Sequence, residues 1–404
     1  MEIPYKLKVF LCRSFQLALK AGNYFMGYRM PACLEGPGKI RELGAFLKEE
    51  GIQDVLVVTG TGMMRRGQVQ PMLEGFEANG IRYTVQSYDN TDPTSEDVEA
   101  GYRTYREHEC RSIVAIGGGS RIDCAKGIAA KAVHPGKTVA QLQGLLKVHR
   151  PIPPFVAIPT TAGAGSETTV AAVITDASTH RKASINDPFL IPRYAVLDPE
   201  LTVGLPPDTT ATTGMDALAH AVEAYTNGTY NTGLENKLAR EAVRLIHDNI
   251  LVAFEDGKNL EARQNMQRAA FYAGRAFTRG CVGYVHAIGH TLGGLYGVPH
   301  GLAMAVLLPH VMREFGAAVH KPLAELAGVC GMAGDDEAQK AEAFLGWIQE
   351  TNRKMGLPDQ FDMVRDSDID RMVDWAQREA NPLYPVPVIW SKQDFIRLIG
   401  KVRK

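Results

Sequence analysis

The sequence has no surplus of charge of either sign, and this limits the partners it can attract. Its 404 residues carry 44 Lys and Arg against 45 Asp and Glu, a formal net charge of −1. Chains that bind nucleic acid or an anionic membrane through electrostatics usually carry a marked basic excess. We therefore expect neither nucleic acid nor a membrane as a partner.

Paired cysteines and long apolar runs are also missing. The six cysteines form no CxxC pair: Cys12, Cys33, Cys110, Cys124, Cys281 and Cys330. A chain of this size needs no disulfides for stability, so they are predicted to be reduced thiols of a cytoplasmic protein. No run reaches about eighteen apolar residues, so no membrane span is expected. The charged residues among positions 1–27 argue against a secretory signal and favour an amphipathic helix preceding the main fold.

The first half of the chain alternates short β-branched runs with helical stretches. Strands are predicted at residues 54–59, 82–88, 112–116 and 155–159. A helix is predicted to begin at Thr94, because Asp97 fits an acidic first turn. Two alternating runs within residues 168–186 predict a β-hairpin. This rhythm indicates a parallel, doubly wound sheet with a Rossmann-like order.

Beyond residue 205 the β-branched runs stop and patterns with a period of 3.6 residues take over. The length of the chain also favours two domains. The prediction is an N-terminal helical extension over 1–27, an α/β domain over 28–206 and an all-helical domain over 207–404. No internal repeat or low-complexity segment is present in the sequence.

A glycine triplet lies at a predicted strand-to-helix turn. Gly117, Gly118 and Gly119 are followed by Ser120 in the stretch IVAIGGGSRIDCAKGIAA. Glycines there let the backbone approach a pyrophosphate, and the helix N-terminus offers unpaired N–H groups and the positive end of its dipole. The pattern is not GxGxxG, so a plain tight turn is the alternative interpretation.

A second glycine-bearing loop, IPTTAGAGSETT, follows the strand at 155–159. Its hydroxyl side chains, on Thr160, Thr161 and Ser166, suit contacts to ribose and phosphate. The loop is therefore expected to line the same crevice as the glycine triplet. The alternative is a flexible loop without a ligand.

Carboxylate and imidazole side chains recur at helical spacing in the second half. Asp216 and His220 are four residues apart, so they share one helix face. His286 and His290 repeat that spacing, and His300 follows a glycine-rich bend. One carboxylate with several imidazoles suits Fe(II) or Zn(II). Spacing alone does not say which histidines would be ligands.

A nucleotide crevice and an open metal site together indicate one type of chemistry. A metal ion polarises a substrate oxygen while a nicotinamide exchanges hydride with the adjoining carbon. The sequence therefore predicts a metal-dependent oxidoreductase that uses a nicotinamide cofactor.

The motifs, taken in order, resemble those of the iron-containing, or group III, alcohol dehydrogenases. The stretches that carry the resemblance are EDVEAG, AIGGGSRIDCAKGIA, AIPTTAGAGSETT, VLDPELTVGLPP, TGMDALAHAVEAY and GYVHAIGHTLGGLYGVPHG. They span roughly residues 28–310, with NPLYPVP as weaker support nearer the C-terminus.

The resemblance implies a dinucleotide-binding α/β domain, an all-helical metal domain, and reversible hydride transfer between NAD(P)H and a small alcohol or aldehyde. It implies these metal ligands: Asp216, His220, His286 and His300. It implies these cofactor contacts: Gly60, Gly117, Gly118, Gly119, Ser120, Asp123, Thr160, Thr161, Ser166, Lys182 and His290. His290 then lies beside the nicotinamide and is the candidate catalytic proton relay. A homodimer or higher homo-oligomer is expected by the same analogy.

Gly60 departs from the pattern of the family. Members that prefer NAD carry an aspartate there, which binds the adenosine ribose hydroxyls, and its carboxylate would repel a 2′-phosphate. The hypothesis is that this chain accepts NADP(H), with Arg65 or Arg66 near the phosphate. The alternative is that both arginines are solvated surface residues.

Other functions remain open at the level of sequence. Within the superfamily the alternatives are a hydroxyacid–oxoacid transhydrogenase, a glycerol-dehydrogenase-like enzyme and, more remotely, a dehydroquinate synthase. A non-catalytic protein that binds nucleotide or metal is the alternative from another class. The donor set suits both Fe(II) and Zn(II), so the preference for Fe(II) rests on the resemblance.

Overall fold

The structure is a computed structural model that describes residues 4–90, 92–176 and 182–404. The strands are β1 Ala32–Glu35, β2 Asp54–Gly60, β3 Arg82–Tyr88, β4 Ser112–Gly117, β5 Gly144–Leu145, β6 Phe155–Pro159, β7 Ala171–Thr175, β8 Lys182–Asn186 and β9 Tyr194–Leu197. The helices of the first half are α1 Tyr5–Tyr24, α2 Lys39–Glu49, α3 Thr61–Arg65, α4 Gln70–Ala78, α5 Ser95–Glu107, α6 Gly119–Val133 and α7 Val139–Leu142.

The helices of the second half are α8 Pro207–Asn227, α9 Gly233–Glu255, α10 Leu260–Gly280, α11 Tyr284–Tyr296, α12 His300–Phe315, α13 His320–Val329, α14 Glu337–Lys354, α15 Asp366–Ala380 and α16 Lys392–Val402. Short 3₁₀ helices cover Pro188–Leu190, Pro199–Leu201 and Gly316–Val319. By length and composition alone, one stretch of the described chain, His300–Val329, could cross a membrane, but 61% of its most apolar window is buried inside the protein.

Two compact units are present, and they are not continuous in sequence. One contains residues 27–205 with 258–267, and the other contains 1–26, 206–257 and 268–404. The N-terminal helix α1 therefore belongs to the helical unit, and the beginning of α10 belongs to the α/β unit. The domain ranges 1–27, 28–206 and 207–404 stay a prediction.

The α/β unit is built on a six-stranded parallel sheet with the order β1-β9-β6-β4-β2-β3. Its central strands are fully buried runs such as VLVV in β2, typical of a parallel sheet covered on both faces. Separate apolar clusters contain alternate residues of these strands: Val55 and Val57 lie in one, Leu56 and Val58 in the other. The predicted α/β class and parallel sheet are confirmed.

The four predicted strands and the predicted helix start agree with the structure. Helix α5 begins after Thr94, whose hydroxyl accepts from the Asp97 N–H while the Asp97 carboxylate accepts from the Thr94 N–H. The predicted hairpin is the antiparallel pair β7 and β8, and β5 joins it in a three-stranded sheet. The edge strand β1 and its neighbour β9 were missed, because each has only four residues.

The second unit is helical, as the change of periodicity predicts. It packs α8 against α9 and α12, and α11 against α12 and α15. Within the described part of this unit, the β structure is a single bridge between Phe361 and Arg403. None of the six cysteines, all of which lie within the described residues, forms a disulfide.

Candidate metal centre and cofactor loops

Helix α8 carries the first two predicted metal ligands. It begins at Pro207, and its second half is buried on every side. Asp216 and His220 lie one turn apart on this helix and are 4% and 5% exposed. Two polar side chains held so deeply need partners, because an unsatisfied buried polar group costs free energy.

Two other helices supply the remaining imidazoles. His286 lies in the first turn of α11 and is buried, whereas His300 is the first residue of α12 and its side chain is 42% exposed. The chain turns between these helices at Gly297, whose φ of 67° lies in the left-handed region that favours glycine. This turn returns His300 toward His286, with their ring centroids 5.4 Å apart.

The four side chains converge on one point. Their donor atoms all lie within 4.8 Å of one another. Asp216 Oδ1 is 3.3 Å from His300 Nε2, 3.7 Å from His220 Nδ1 and 3.8 Å from His286 Nε2. No other group of three or more potential ligands is found in the described ranges.

Three of these donor atoms are buried without a hydrogen-bond partner. They are Asp216 Oδ1, His220 Nδ1 and His286 Nε2. Orphaned atoms of this kind are costly, and a divalent cation bound between them would satisfy all three together. The residues therefore fit the metal that the donor set predicts.

The electrostatics of the cluster favour the protonation state that metal binding requires. Burial would raise the pKa of Asp216, but His220, His300 and His286 together lower it well below its ordinary value. Burial lowers the pKa of His220 to about 3, against the attraction of Asp216, and holds that of His286 well below its usual range. The buried members are thus one carboxylate and two neutral imidazoles.

A buried carboxylate that the sequence analysis missed orients His286. Glu223 Oε2 lies 2.5 Å from His286 Nδ1, and Glu223 Oε1 accepts from the Val285 N–H at 2.7 Å. Burial raises the pKa of Glu223 to about 7. A carboxylate on Nδ1 leaves Nε2 free to coordinate a metal. The sequence feature that could have identified Glu223 is its position three residues after His220 on the same helix, α8.

His290 lies apart from the four donors. Its Nδ1 is 2.7 Å from Glu379 Oε1, which also accepts from the Tyr384 hydroxyl at 3.0 Å. The imidazole stacks on His300 with centroids 5.3 Å apart, and its side chain is 45% exposed. Glu379 and Tyr384 were also missed, because 89 residues separate His290 from Glu379.

The predicted cofactor loops come together in the α/β unit. Helix α6 begins at Gly119, immediately after β4, and the Thr160 N–H donates to the Gly117 carbonyl at 3.0 Å. A Cβ at Gly119 would lie 2.9 Å from Ala164 Cβ and 3.0 Å from Ser166 Oγ. Glycine is thus required for this close approach of the two loops.

The loops lie at the position where parallel sheets of this kind bind ligands. Strand β2 pairs with β3 on one side and β4 on the other, so the order of strands reverses between β2 and β4. Gly60 ends β2, and Gly117 ends β4. In open α/β sheets a ligand occupies the crevice at such a switch point, beyond the carboxyl ends of the strands.

The other predicted cofactor residues occupy different positions in this unit. Tyr88 donates its hydroxyl to the Ser120 carbonyl at 2.8 Å. Asp123 Oδ2 accepts from the Val173 N–H at 3.0 Å, and burial raises the pKa of Asp123. Lys182 is half-exposed and pairs with Asp92 at 2.7 Å. Thr161 lies against Gly118.

The cation nearest to Gly60 is an arginine that the sequence analysis did not consider. A Cβ at Gly60 would lie 3.0 Å from Arg121 Nε. Arg121 Nη1 donates to the Asn90 carbonyl at 2.6 Å, and its guanidinium lies 4.3 Å from the centroid of the Tyr88 ring. The exposed Arg66 instead lies against Gly62 and donates to Gln68.

Comparison with known proteins places both halves of the chain in one family. Residues 31–199 match the family described as iron-containing alcohol dehydrogenase. Residues 210–402 match the C-terminal part of the Fe-containing alcohol dehydrogenase family. The two matches together cover most of the chain and leave residues 1–30 outside.

Individual relatives agree with this assignment. Alcohol dehydrogenase 4 of Schizosaccharomyces pombe is 39% identical over 360 residues, 87% of this chain and 84% of the relative. The NAD-dependent methanol dehydrogenase of Bacillus methanolicus is 35% identical over 352 residues, 86% of this chain and 91% of the relative. A crystal structure of 1,3-propanediol oxidoreductase superposes with a TM-score of 0.88 at 34% identity, covering 94% of this chain and all of that one. The chain therefore belongs to the iron-containing alcohol dehydrogenase family and is an oxidoreductase.

Proposed function

We propose that this protein catalyses reversible hydride transfer between NAD(P)H and a small aldehyde, with a divalent metal held by Asp216, His220, His286 and His300. The observation that carries the proposal is the convergence of four donors, three of them buried and without another partner. The membership of the chain in a family of alcohol dehydrogenases supports it. Fe(II) is the proposed metal. Zn(II) is the alternative, because imidazole ligands suit both ions.

The protein side chains would each have a defined task at this centre. A metal bound there supplies a Lewis acid that polarises the substrate oxygen. Glu223 holds His286 in the tautomer that presents Nε2 to the site. The low pKa of the buried His220 and the low pKa of Asp216 keep both side chains in their coordinating protonation states.

His290 is the proposed proton relay. Glu379 accepts a hydrogen bond from Nδ1 of His290 and so fixes the orientation of the imidazole, whose Nε2 is the atom proposed to exchange a proton with the substrate oxygen or an ordered water. The Tyr384 hydroxyl fixes the Glu379 carboxylate in turn. The half-exposed position of His290 gives the relay access to solvent protons.

The glycine triplet and the threonine-rich loop are the proposed site of the dinucleotide. The backbone at Gly117, Gly118 and Gly119 and the N-terminus of α6 suit a pyrophosphate. Ser120, Asp123, Thr160, Thr161, Ser166 and Lys182 stay as proposed contacts. A nicotinamide bound there supplies or accepts the hydride.

NADP(H) is the proposed preferred cofactor, and Arg121 rather than Arg65 or Arg66 is the proposed phosphate ligand. Gly60 carries no carboxylate to repel a 2′-phosphate, and the Arg121 guanidinium lies beside it. Arginine suits phosphate because its fork of N–H donors is planar and always charged. The name of the Bacillus methanolicus relative records NAD, whereas that of a Clostridium saccharobutylicum butanol dehydrogenase, 34% identical, records NADPH, so the names of relatives do not decide the preference.

The decisive experiment is a panel of aldehydes and alcohols assayed with NADPH and NADH. The protein is first freed of metal and then reconstituted with Fe(II), Zn(II) or Mn(II). We expect turnover only after reconstitution, with Fe(II) the most active. Turnover that persists unchanged in fully metal-free protein would contradict the metal mechanism.

The same assay separates the remaining alternatives. A hydroxyacid–oxoacid transhydrogenase keeps its cofactor bound, so it would release no free NADPH during turnover. A glycerol-dehydrogenase-like enzyme would prefer polyols in the panel. A non-catalytic protein would bind both metal and cofactor without redox activity.

A homodimer and a cytoplasmic location are also proposed. The molar mass in solution would check the first, and fractionation of the native host would check the second.

A further inference from the structure

The N-terminal helix α1 packs one side against the protein, and this side carries polar as well as apolar residues. Its buried residues are Cys12, Gln16 and Asn23. The Gln16 amide donates to the carbonyls of Pro382 and Tyr384 at 3.1 and 2.8 Å. Tyr5 OH donates to the Ile389 carbonyl at 2.6 Å. The helix is therefore fixed along its length by hydrogen bonds to one segment near the C-terminus.

The opposite side of α1 is apolar and exposed. Phe10 and Leu17 are 65% and 64% exposed, and Leu7 and Leu11 are about half-exposed. With Ser14, Ala18 and Ala21 these residues recur every three or four positions, so they form one continuous helix face. We call this the α1 outer face. In a surface helix the most apolar face normally packs against the protein, whereas the α1 outer face is exposed.

The charges on α1 are all positive. The helix carries Lys6, Lys8, Arg13 and Lys20, and no Asp or Glu occurs from residue 4 to residue 34. Lys6, Arg13 and Lys20 are seven residues apart, so they form a stripe along one border of the outer face. Lys8 lies on the opposite border. The net charge of −1 for the whole chain conceals this local basic concentration.

We propose that the α1 outer face inserts into the interface of an anionic lipid bilayer and holds the enzyme there as a peripheral protein. A helix with Phe and Leu on one face and Lys and Arg on its borders lies in the plane of the membrane surface, with acyl chains against the apolar side and anionic headgroups against the cations. This departs from the expectation of no membrane partner, which rested on total charge.

Charge favours lipid over a second copy of the chain as the occupant. Two outer faces packed together would bring their lysine borders close without any carboxylate of α1 to balance them. The helix also lies outside residues 31–199 and 210–402, the parts matched to the family. Its outer face is therefore available for a function that the shared catalytic fold does not need.

The test is sedimentation of the purified full-length enzyme with vesicles. Phosphatidylcholine vesicles are compared with equimolar phosphatidylcholine and phosphatidylglycerol, at low and high salt. We expect binding to the anionic vesicles only, and we expect salt to weaken it because the lysines are exposed. The variant Lys6→Gln/Lys20→Gln should bind about 25-fold more weakly, since each surface cation contributes about fivefold.

The apolar contribution is tested with Phe10→Glu/Leu17→Glu, which should abolish pelleting and leave alcohol dehydrogenase activity in solution unchanged. The matched control is Val252→Glu/Met363→Glu, which alters two exposed apolar side chains elsewhere in the helical unit. The control should bind like the unaltered protein. Equal pelleting of the Phe10→Glu/Leu17→Glu variant overturns the proposal. A second result would also overturn the proposal. If the unaltered protein does not bind vesicles and the Phe10→Glu/Leu17→Glu variant has a lower molar mass by sedimentation velocity, the face is a contact between copies of the chain.

Discussion

At the residue scale, the candidate metal centre depends on which nitrogen of each histidine carries a proton. His286 and His290 stand one turn apart on α11, and each has a carboxylate at Nδ1. Glu223 is buried and turns His286 toward the other donors, whereas Glu379 holds His290 at a half-exposed position. The same spacing along the chain thus places two imidazoles against two different carboxylates.

Replacement of His290 by alanine separates proton relay from metal binding. We expect kcat to fall about 100-fold to 10,000-fold, the usual contribution of general acid–base catalysis. Metal content by atomic absorption should stay at the level of the unaltered enzyme, because His290 is not among the four converging donors. Glu379→Gln is the milder companion and should reduce kcat less. Stoichiometric loss of metal from His290→Ala would instead make this histidine a ligand.

The choice between NADPH and NADH should depend on Gly60 and Arg121. In Arg121→Ala, the Kd of NADPH measured by fluorescence titration should rise about 10-fold to 100-fold, the value of one charge-assisted interaction. The Kd of NADH should change little. In Gly60→Asp, the new carboxylate lies beside the Arg121 guanidinium and should shift kcat/KM toward NADH. Arg66→Ala is the matched control, and a loss of NADPH affinity there as large as in Arg121→Ala would contradict the assignment.

At the element scale, the metal centre is assembled by the packing of α12 on α8. Gly301 follows His300, and a Cβ on Gly301 would lie 2.2 Å from the Thr212 carbonyl oxygen of α8. Thr212 is one turn before Asp216. Backbone is thus packed on backbone at the point where two proposed ligands from different helices, Asp216 and His300, approach each other.

Gly301→Ala should therefore damage the site without touching a ligand. The added methyl group must push α12 away from α8, at a cost of about 1–3 kcal/mol in the free energy of unfolding. Metal affinity should fall by at least about tenfold, because His300 moves with α12. Chelator competition measures the affinity, and chemical denaturation measures the stability.

The control for this prediction is Gly346→Ala in α14. No heavy atom lies within 4 Å of a Cβ at that position. Alanine is the better helix former, so this variant should be unchanged or more stable by up to about 1 kcal/mol. Metal affinity that is equal in both variants would show that the close packing at Gly301 does not position His300.

At the scale of the whole molecule, a metal ion would join three helices that are far apart in sequence. The four donors come from α8, α11 and α12. Such a cross-link stabilises the native state, because the unfolded chain presents no preformed site. The metal would also give a partner to the three buried donor atoms that have no hydrogen bond.

Removal of metal should consequently lower the thermal stability of the enzyme. At a free metal concentration of 100 times Kd, binding contributes about 2.7 kcal/mol. For a unit of this size that corresponds to a rise in Tm of several degrees, roughly 5–10 °C. Calorimetry with and without chelator measures the shift. Asp216→Asn should show no response to chelator, and a response equal to that of the unaltered protein would place the metal elsewhere.

Local signals account for what could be predicted. The buried runs of β2, β4 and β6, the capping box at Thr94 and the glycine turn into α6 all depend on neighbours within a few residues. The i, i+4 pair of Asp216 and His220 is equally local. These features can be recognised in the sequence because the periodicity of a helix or strand depends on residues that are close together in the chain. The short strands β1 and β9 have too few residues to show it.

The sequence by itself determined the parallel α/β unit, the helical unit and the identity of the side chains able to bind a metal. The resemblance to the family implied which histidines would join Asp216, but only the tertiary structure decided that His290 pairs with Glu379, that Arg121 approaches Gly60, and that α1 leaves an apolar face exposed. The physical reason is that each of these depends on contacts between segments distant in the chain. Periodicity defines the faces of an element, but packing selects the neighbour that each face meets.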